Sequence, residues 1–418
     1  MQNLTLIILM ASLLMANCKQ KPSEFEPNYD ESKVPEYNLP PILTGTDWES
    51  VRRAEILSMF EQEVYGKVPG FDFITEYILL DKDSSALNGK AIRKQVNIRM
   101  ISGGDSLEVF LLVFQPPEEA NSPVFVGYNF YGNHTIHPDS NILLARSWLR
   151  NNEEFGITDN RATEGSRGVR VSRWPVEMII DHGYALATVY YGDVDPDFDD
   201  GFKNGVHGLV PGKPSPGPGE WGSISAWAWG LSRIMDYFEQ DDKLDESRVI
   251  VVGHSRLGKT ALWAGARDTR FSVVISNNSG CGGAALSRRQ FGETVERINT
   301  VFPHWFCDNF TKYNGNEDAL PVDQHMLIAL IAPRPVYIAS ATEDLWADPK
   351  GEFLSAVAAD TVYKHLGAKG IKSKTMPEPD QPLDFGTIGY HLRSGKHDIT
   401  PWDWEQYIKF ADFHLKGK

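Results

Sequence analysis

A single stretch, residues 249–260, constrains the fold of this chain more than any other part of the sequence. It reads Val-Ile-Val-Val-Gly-His-Ser-Arg-Leu-Gly-Lys-Thr, so an apolar β-branched run ends at Gly253 and helix-forming residues continue beyond Thr260. Apolar β-branched runs favour strands, whereas a glycine directly after one marks a turn. The stretch therefore predicts a strand, a sharp turn and a helix, with Ser255 at the apex of the turn.

A serine at the apex of such a turn has the geometry of an enzyme nucleophile. The turn lifts the hydroxyl above the sheet, and the N-terminus of the following helix points at it. The usual pattern is G-x-S-x-G, but here the second glycine falls one position later, at Gly258. By spacing alone, a turn with an incidental serine fits as well as a nucleophile. The rest of the chain has to decide between the two.

The remaining hydrophobic pattern predicts strands that alternate with helices. Alternation over residues 73–114 indicates an antiparallel start to a sheet. Helices are predicted over residues 48–65 (capped by Thr46 or Asp47), 221–238 and 402–415, and further strands over 124–130, 184–191, 249–252, 271–276 and 335–340. Such alternation favours a mostly parallel sheet covered on both faces. We therefore expect an α/β-hydrolase fold, a three-layer αβα sandwich, in one catalytic domain over residues 48–418.

The charge and the N-terminus limit where this chain works and what it binds. A net charge of −15 argues against nucleic acid, whose phosphates would be repelled. Residues 1–18 form a short apolar run that ends at Cys18 and is followed by polar residues, as in a signal peptide. We expect an exported protein, either periplasmic or a lipoprotein anchored to the outer membrane through Cys18. Residues 19–47 would then be a tether and an N-terminal strap.

Two cysteines remain in the expected mature chain, Cys281 and Cys307. In an exported protein they are candidates for a disulfide, but two free buried thiols are an equal alternative, because cysteine is among the most buried residue types. No spacing in the sequence suggests a metal site, and we expect no cofactor.

A nucleophilic serine needs a base and an acid that orients the base. In α/β-hydrolases the three follow in the order serine, acid, histidine. His397 lies in a polar, glycine-containing loop before the last helix, whereas its rival His391 has the flanks of a strand end. For the acid, Glu343 and Asp344 compete at the tip of the strand over 335–340, and we favour Asp344. The loop over residues 195–220, rich in glycine and proline, is expected to line the rim of the site.

Four segments, the first of them within residues 249–260, carry a resemblance to a known family. They are residues 253–259 (GHSRLGK), 277–283 (NNSGCGG), 302–307 (FPHWFC) and 320–325 (LPVDQH), in this order. Together they resemble the bacterial branch of the glucuronoyl esterases, carbohydrate esterase family 15, from about Trp48 to the C-terminus. The resemblance implies a serine carboxylesterase that cleaves the ester between a 4-O-methyl-glucuronoyl branch of xylan and a lignin alcohol. Its histidine also falls at His397.

The resemblance also implies roles for residues around the nucleophile. Arg256 would stabilise the oxyanion with its side chain and its backbone N–H, and Lys259 would bind sugar hydroxyls. A carboxylate that contacts the sugar would be Glu293. Some members take their acid from a position that reads Asn278 here, which carries no charge and leaves the role to Asp344 or Glu343.

Trp305 and Trp346 are candidates for stacking on the sugar ring or for framing the pocket. Two other functions remain open. One is an esterase of the same fold that acts on acetyl or other carbohydrate esters, and the other is a glycan-binding lipoprotein without turnover. For the glucuronoyl esterase we expect a monomer, whose partners are glucuronoxylan and lignin–carbohydrate esters, with the membrane contacted only through the lipid anchor and no nucleic acid bound.

Overall fold

The computed structural model describes residues 25–117, 121–212 and 215–417. Nine strands in these ranges form one sheet: β1 Ile74–Ala86, β2 Ala91–Ser102, β3 Asp105–Gln115, β4 Ser122–Asn129, β5 Ala185–Tyr190, β6 Leu244–His254, β7 Phe271–Asn277, β8 Val336–Ala341 and β9 Ile388–Arg393. Their order across the sheet is β1-β2-β3-β5-β4-β6-β7-β8-β9. The first three strands pair antiparallel, as does β3 with β5, and the remaining pairs are parallel. The predicted antiparallel start and parallel continuation are both confirmed.

Eight α-helices lie in the described ranges: α1 Arg53–Glu63, α2 Val176–Asp181, α3 Ser223–Phe238, α4 Arg256–Arg267, α5 Val295–Val301, α6 Gln324–Ala329, α7 Pro349–His365 and α8 Pro401–Ala411. Side chains alternate between the two faces of a strand, so β6 divides its apolar residues between two cores. Val249 packs in the core that holds α3 and α4, whereas Ile250 packs with Trp404 of α8 in the other. The expected three-layer α/β-hydrolase sandwich is therefore present.

The helix ends follow local capping rules. The side chain of Asp47, not Thr46, accepts a 2.8 Å hydrogen bond from the Ser50 N–H and caps a π-helical turn that leads into α1. At the start of α8, Thr400 and Asp403 bond each other's backbone N–H groups in a capping box. No helix in the described part of the chain is long and apolar enough to cross a membrane.

Candidate active site

The carboxyl ends of four neighbouring parallel strands bring the chemically active side chains together. Ser255 follows β6, Asn278 follows β7, Asp344 follows β8 and His397 follows β9. In an open α/β sheet this edge is where ligands bind. All four residues line one cavity of about 340 Å³.

The turn at Ser255 is strained in the way that a nucleophile position requires. Its backbone lies at φ 60° and ψ −130°, a conformation that residues other than glycine rarely adopt. The turn is tight, because a Cβ atom at Gly253 would lie 1.9 Å from the Leu257 carbonyl oxygen. A Cβ atom at Gly258 would lie 3.0 Å from the Cβ atom of Ser279. Gly258 therefore allows α4 to pack closely on the segment after β7, although it stands one position later than in the usual pattern.

The structure distinguishes between the two candidate acids. His397 Nδ1 lies 2.5 Å from Asp344 Oδ2, while the side chain of Glu343 is exposed to solvent. Burial would raise the pKa of Asp344, but the hydrogen bond and the charge of His397 outweigh burial and hold that pKa below its usual value. An ionised carboxylate in this position fixes the tautomer of the imidazole, with the proton on Nδ1. The acid that meets His397 is thus Asp344.

The rival histidine, His391, has a structural position. It lies within β9, where its Nε2 is 2.9 Å from Asp403 Oδ1 and its Nδ1 is 3.0 Å from the Tyr337 hydroxyl. The ring is fully buried, and burial lowers its pKa. Both ring nitrogens are occupied, so His391 has no free nitrogen to serve as a base.

Asn278 supports the acid. Its side-chain amide donates a 2.8 Å hydrogen bond to Asp344 Oδ2, and its own backbone is left-handed at φ 46°. The next two residues are held from both sides. Lys259 Nζ donates to the Ser279 carbonyl oxygen at 2.5 Å. Glu352 Oε1, on α7, accepts from the N–H groups of Ser279 at 2.8 Å and Gly280 at 2.9 Å.

Arg256 begins α4, where a cation opposes the helix dipole. Asp197, from the loop after β5, compensates by pairing with its guanidinium group. Asp197 is buried and also accepts from Tyr191 at 2.8 Å, from His304 at 3.0 Å and from the Trp305 indole at 2.7 Å. Burial alone would raise the pKa of Asp197, but Arg256 and these donors hold it far below its usual value. Arg256 is therefore a fixed cation beside Ser255.

Trp305 frames the pocket. Its ring stacks on Phe302 with centroids 3.7 Å apart, and the Arg256 guanidinium lies 4.8 Å from its centroid. The side chain is only 3% exposed. Of the two roles expected for Trp305, this position supports framing the pocket and holding Arg256.

Lys259, Glu293 and Trp346 form a second polar group in the same cavity. Lys259 Nζ lies 3.9 Å from Glu293 Oε2, and both side chains are buried. Burial lowers the pKa of Lys259 and raises that of Glu293, and the attraction between the two groups offsets only part of this desolvation. Trp346 is half-buried, and its backbone carbonyl oxygen accepts a 3.0 Å hydrogen bond from the Glu293 N–H.

The candidate disulfide is absent. Cys281 and Cys307 are both free and buried, so the alternative of two separate thiols is correct. The ring of Phe306 packs against Gly282, and Cys307 Sγ contacts the Gln62 carbonyl oxygen at 3.7 Å. Cys18, the candidate lipidation site, lies outside the described residues. Within residues 25–117, 121–212 and 215–417, no three His, Cys, Asp or Glu side chains are grouped as metal ligands.

Three residues of the site were not found by sequence reasoning. Asp197 could have been suspected, because an arginine at a helix start needs a counter-charge and the loop over residues 195–220 begins with acidic residues. Glu352 gave no signal, since an acidic residue in the first turn of a helix is ordinary. His254 packs on His397 with ring centroids 4.5 Å apart and lies 2.6 Å from Asn277, and burial keeps its pKa well below the usual value. His254 therefore stays neutral beside the ring of His397.

Comparison with known proteins gives a consistent result. A family model described as glucuronyl esterase, fungi, matches residues 217–367. The carbohydrate esterase MZ0003, from an unknown prokaryotic organism, is 56% identical over 403 residues, which are 93% of this chain and 92% of that protein. A 4-O-methyl-glucuronoyl methylesterase of Schizophyllum commune is 27% identical over 78% of this chain and 71% of its own length.

Solved structures agree. An esterase of carbohydrate esterase family 15 from a marine bacterial metagenome, described as promiscuous, superposes with a TM-score of 0.87 at 55% identity over 93% of this chain and 100% of that one. The glucuronoyl esterase of Solibacter usitatus superposes with a TM-score of 0.85 at 47% identity over 92% and 100%. With this fold, this cavity and these relatives, the chain belongs to the glucuronoyl esterases of carbohydrate esterase family 15, which are carboxylic ester hydrolases.

Proposed function

We propose that this enzyme cleaves the ester between a 4-O-methyl-glucuronoyl branch of xylan and a lignin alcohol, through an acyl-enzyme on Ser255. The observation that carries the proposal is the composition of one cavity. Ser255 and the His397–Asp344 pair share it with Arg256 and with the buried Lys259–Glu293 pair. An acetyl group would leave the second pair without a partner, whereas a uronoyl ring carries hydroxyls for both.

Acylation begins when His397 Nε2 takes the proton of the Ser255 hydroxyl as the oxygen attacks the ester carbonyl. The carbonyl oxygen becomes an oxyanion, which the backbone N–H of Arg256 and its guanidinium stabilise. The first residues of a helix have N–H groups without an intrahelical partner, so this donor is free for the task. One such donor lowers the barrier by about 3–4 kcal/mol. Asp344 stabilises the imidazolium that forms.

The intermediate collapses when the bond to the alcohol oxygen breaks. His397 gives its proton to that oxygen, and the alcohol leaves. The glucuronoyl group is now an ester of Ser255. Water attacks this ester as His397 takes a proton from it, which gives a second tetrahedral intermediate. When that intermediate collapses, the bond between the carbonyl carbon and Ser255 Oγ breaks, and His397 gives its proton to Oγ. The products are the alcohol and the free uronic acid.

Sugar recognition would depend on Lys259, Glu293 and Trp346. A rigid sugar ring presents several hydroxyls at once, so a fixed ammonium and a fixed carboxylate can bind it together. The Lys259 ammonium is anchored on the Ser279 carbonyl oxygen at 2.5 Å, which limits its freedom before substrate binds. Trp346 offers an apolar surface to the C–H groups of the ring.

The test compares benzyl glucuronate with acetylated xylan and p-nitrophenyl acetate. The proposal requires a much higher kcat/KM for the uronate ester. Lys259→Ala should lower kcat/KM for that ester at least tenfold, mainly through KM. Lys409→Ala, which changes an exposed lysine, is the matched control. Equal activity on all three substrates, with no effect of Lys259→Ala, would leave a serine esterase without uronate specificity.

We also propose that the chain is exported, because xylan and lignin are extracellular polymers and residues 1–18 have the pattern of a signal peptide. Cys18 would carry the lipid anchor, on a monomeric enzyme. Membrane fractionation of cells that express the wild type or Cys18→Ser tests the anchor. Recovery of both proteins from the soluble fraction would exclude lipidation.

A further inference from the structure

We propose that residues 25–33, the part of the segment over residues 19–47 for which we keep the name strap, determine specificity by positioning the sugar-binding side of the pocket. This inference rests on the proposed function, since it concerns the uronoyl side of that site. The six strap contacts described below fall on only two segments, residues 287–297 and 343–350. These are the segments that supply Glu293 and Trp346.

The first contact restrains Trp346. The ring of Phe25 meets it edge-on, with centroids 5.9 Å apart. Phe25 itself lies over the guanidinium of Arg297, at 5.1 Å from the ring centroid. In this geometry the positive edge of one ring faces the negative face of the other, so the two rings attract each other. Phe25 therefore limits the rotation of a side chain that lines the cavity but is only half-buried.

A chain of charges joins the strap to both segments. Glu31 pairs with the buried Arg289 and accepts a 2.7 Å hydrogen bond from Lys350. Arg289 Nε in turn donates to Asp348 Oδ2 at 2.8 Å. Asp348 caps α7 by accepting from the Gly351 N–H at 2.9 Å. Glu31 thus completes an ionic bridge between the two segments.

The strap also fixes the backbone next to Glu293. The Asn28 carbonyl oxygen accepts a 2.9 Å hydrogen bond from the Gly292 N–H, and the ring of Tyr29 lies 6.1 Å from that of Phe291. Gly292 has φ 65°, and a Cβ atom there would lie 2.5 Å from the Trp346 carbonyl oxygen. The strap therefore holds a tight crossing of the two segments from outside.

The pair of Asp344 and His397 is held by contacts outside the strap. Asp344 receives hydrogen bonds from His397 and Asn278, and the Glu343 N–H donates to the Gly395 carbonyl oxygen at 2.9 Å. None of these partners belongs to the strap. Loss of the strap contacts should therefore affect the binding of the sugar and leave the chemistry on a small ester intact.

The experiment measures kcat and KM of the full chain for benzyl glucuronate and p-nitrophenyl acetate. We expect Phe25→Ala and Glu31→Gln each to lower kcat/KM for the glucuronate about five- to twentyfold, through a higher KM. The kcat/KM for p-nitrophenyl acetate should change by less than twofold. Phe25→Tyr, which keeps the aromatic contact, should have the wild-type ratio of kcat/KM for the glucuronate to kcat/KM for the acetate. The matched control is Lys33→Ala, because Lys33 is exposed and, among the described residues, forms an ion pair only with Asp30 of the strap.

Equal losses on both esters would mean that the strap only stabilises the fold, and no loss on either would mean that it does not position the pocket; both results overturn the inference. A binding measurement separates it from the proposed function. Calorimetry of methyl glucuronate on Ser255→Ala should give a Kd about five- to twentyfold higher when Phe25→Ala is added. If the wild type shows no preference for the uronate ester, the proposed function is wrong. If the Kd is unchanged by Phe25→Ala, only the inference about the strap is wrong.

Discussion

Asn278 donates a 2.8 Å hydrogen bond to Oδ2 of Asp344, the same oxygen that lies 2.5 Å from His397 Nδ1. An uncharged amide after β7 and a carboxylate after β8 thus together fix the orientation of the histidine that we propose as the base. A second carboxylate at position 278 would put two negative charges side by side, which raises the pKa of one of them. With the amide in place, a single ionised acid faces His397.

The first prediction concerns that acid. We expect Asp344→Ala to lower kcat about 10³–10⁴-fold, because the base loses both its tautomer and its counter-charge. Glu343→Ala is the matched control, since its side chain is exposed at the neighbouring position, and it should stay within about twofold of the wild type. Steady-state kinetics on benzyl glucuronate, with thermal melts to verify folding, provide the measurement. A larger loss for Glu343→Ala would exchange the two assignments.

The second prediction concerns the oxyanion cation. Arg256→Ala should lower kcat about 10²–10³-fold, with little change in KM. Asp197→Asn should lower kcat less, by roughly tenfold, because the guanidinium remains but loses the carboxylate that aims it. The losses should be equal on glucuronate and acetate esters, since both reactions pass through an oxyanion. A loss confined to the glucuronate would make Arg256 a sugar-binding residue instead.

The third prediction follows from the depressed pKa of Asp197. A carboxyl whose folded pKa lies below its unfolded value stabilises the fold above the unfolded pKa, and that contribution is lost as the pH falls through the folded pKa. Asp197→Asn should therefore be less stable than the wild type at pH 7. The difference in Tm should narrow steadily as the pH falls below about 4. A difference in Tm that stays constant from pH 7 to pH 3 would show that Asp197 does not stabilise the fold through its charge.

The parts of the site that were predicted from sequence are local. The turn at Ser255, the loop at His397 and the tip of β8 at Asp344 each follow from a run of neighbouring residues. Asp197 and Glu352 were missed because their partners lie 59 and 73 residues away in the chain. Nothing in the neighbourhood of either residue shows which loop it will meet, and that depends on the order of the strands.

For the fold, the strength of the apolar pattern in each segment determines whether the sequence predicts a helix or a strand there. The strand over residues 249–252 and the helix over 221–238 were predicted because their apolar patterns are strong, and both are present as β6 and α3. The helix α7 was not predicted, because it is buried along most of its length and so lacks a clear polar face. The strand β9 was read only as a strand end, since its six residues are all buried and do not alternate.

The fourth prediction uses the strain at Ser255. Both Ser255→Ala and Ser255→Gly should lower kcat at least about 10⁴-fold, because neither supplies a nucleophile. Only the glycine removes the cost of φ 60° and ψ −130°. That cost is of order 1–3 kcal/mol, so Ser255→Gly should be about 1 kcal/mol more stable than Ser255→Ala. Denaturant unfolding of the two inactive variants measures this, and equal stabilities would mean that the turn stores no strain.

The last prediction concerns Glu352, whose carboxyl group holds the segment after β7. Burial raises its pKa to about 8, although the hydroxyl of Ser340 and the N–H groups of Ser279 and Gly280 lower it. The folded protein therefore keeps a proton on Glu352 over a range, from about pH 4.5 to about pH 8, in which the unfolded chain has lost it. Stability from this group must fall as the pH rises through that range.

Glu352→Gln removes the titration and preserves the bonding pattern. The amide oxygen can still accept from the Ser279 and Gly280 N–H groups, and the amide nitrogen can donate to the Ser340 oxygen, which lies 2.6 Å from Oε2. The Tm of the variant minus that of the wild type should therefore rise from pH 5 to pH 8 and then level off. Glu405→Gln, at an exposed carboxylate on α8, should show no such slope. A pH-independent difference would mean that Glu352 is ionised throughout, in which case these three donors outweigh its burial.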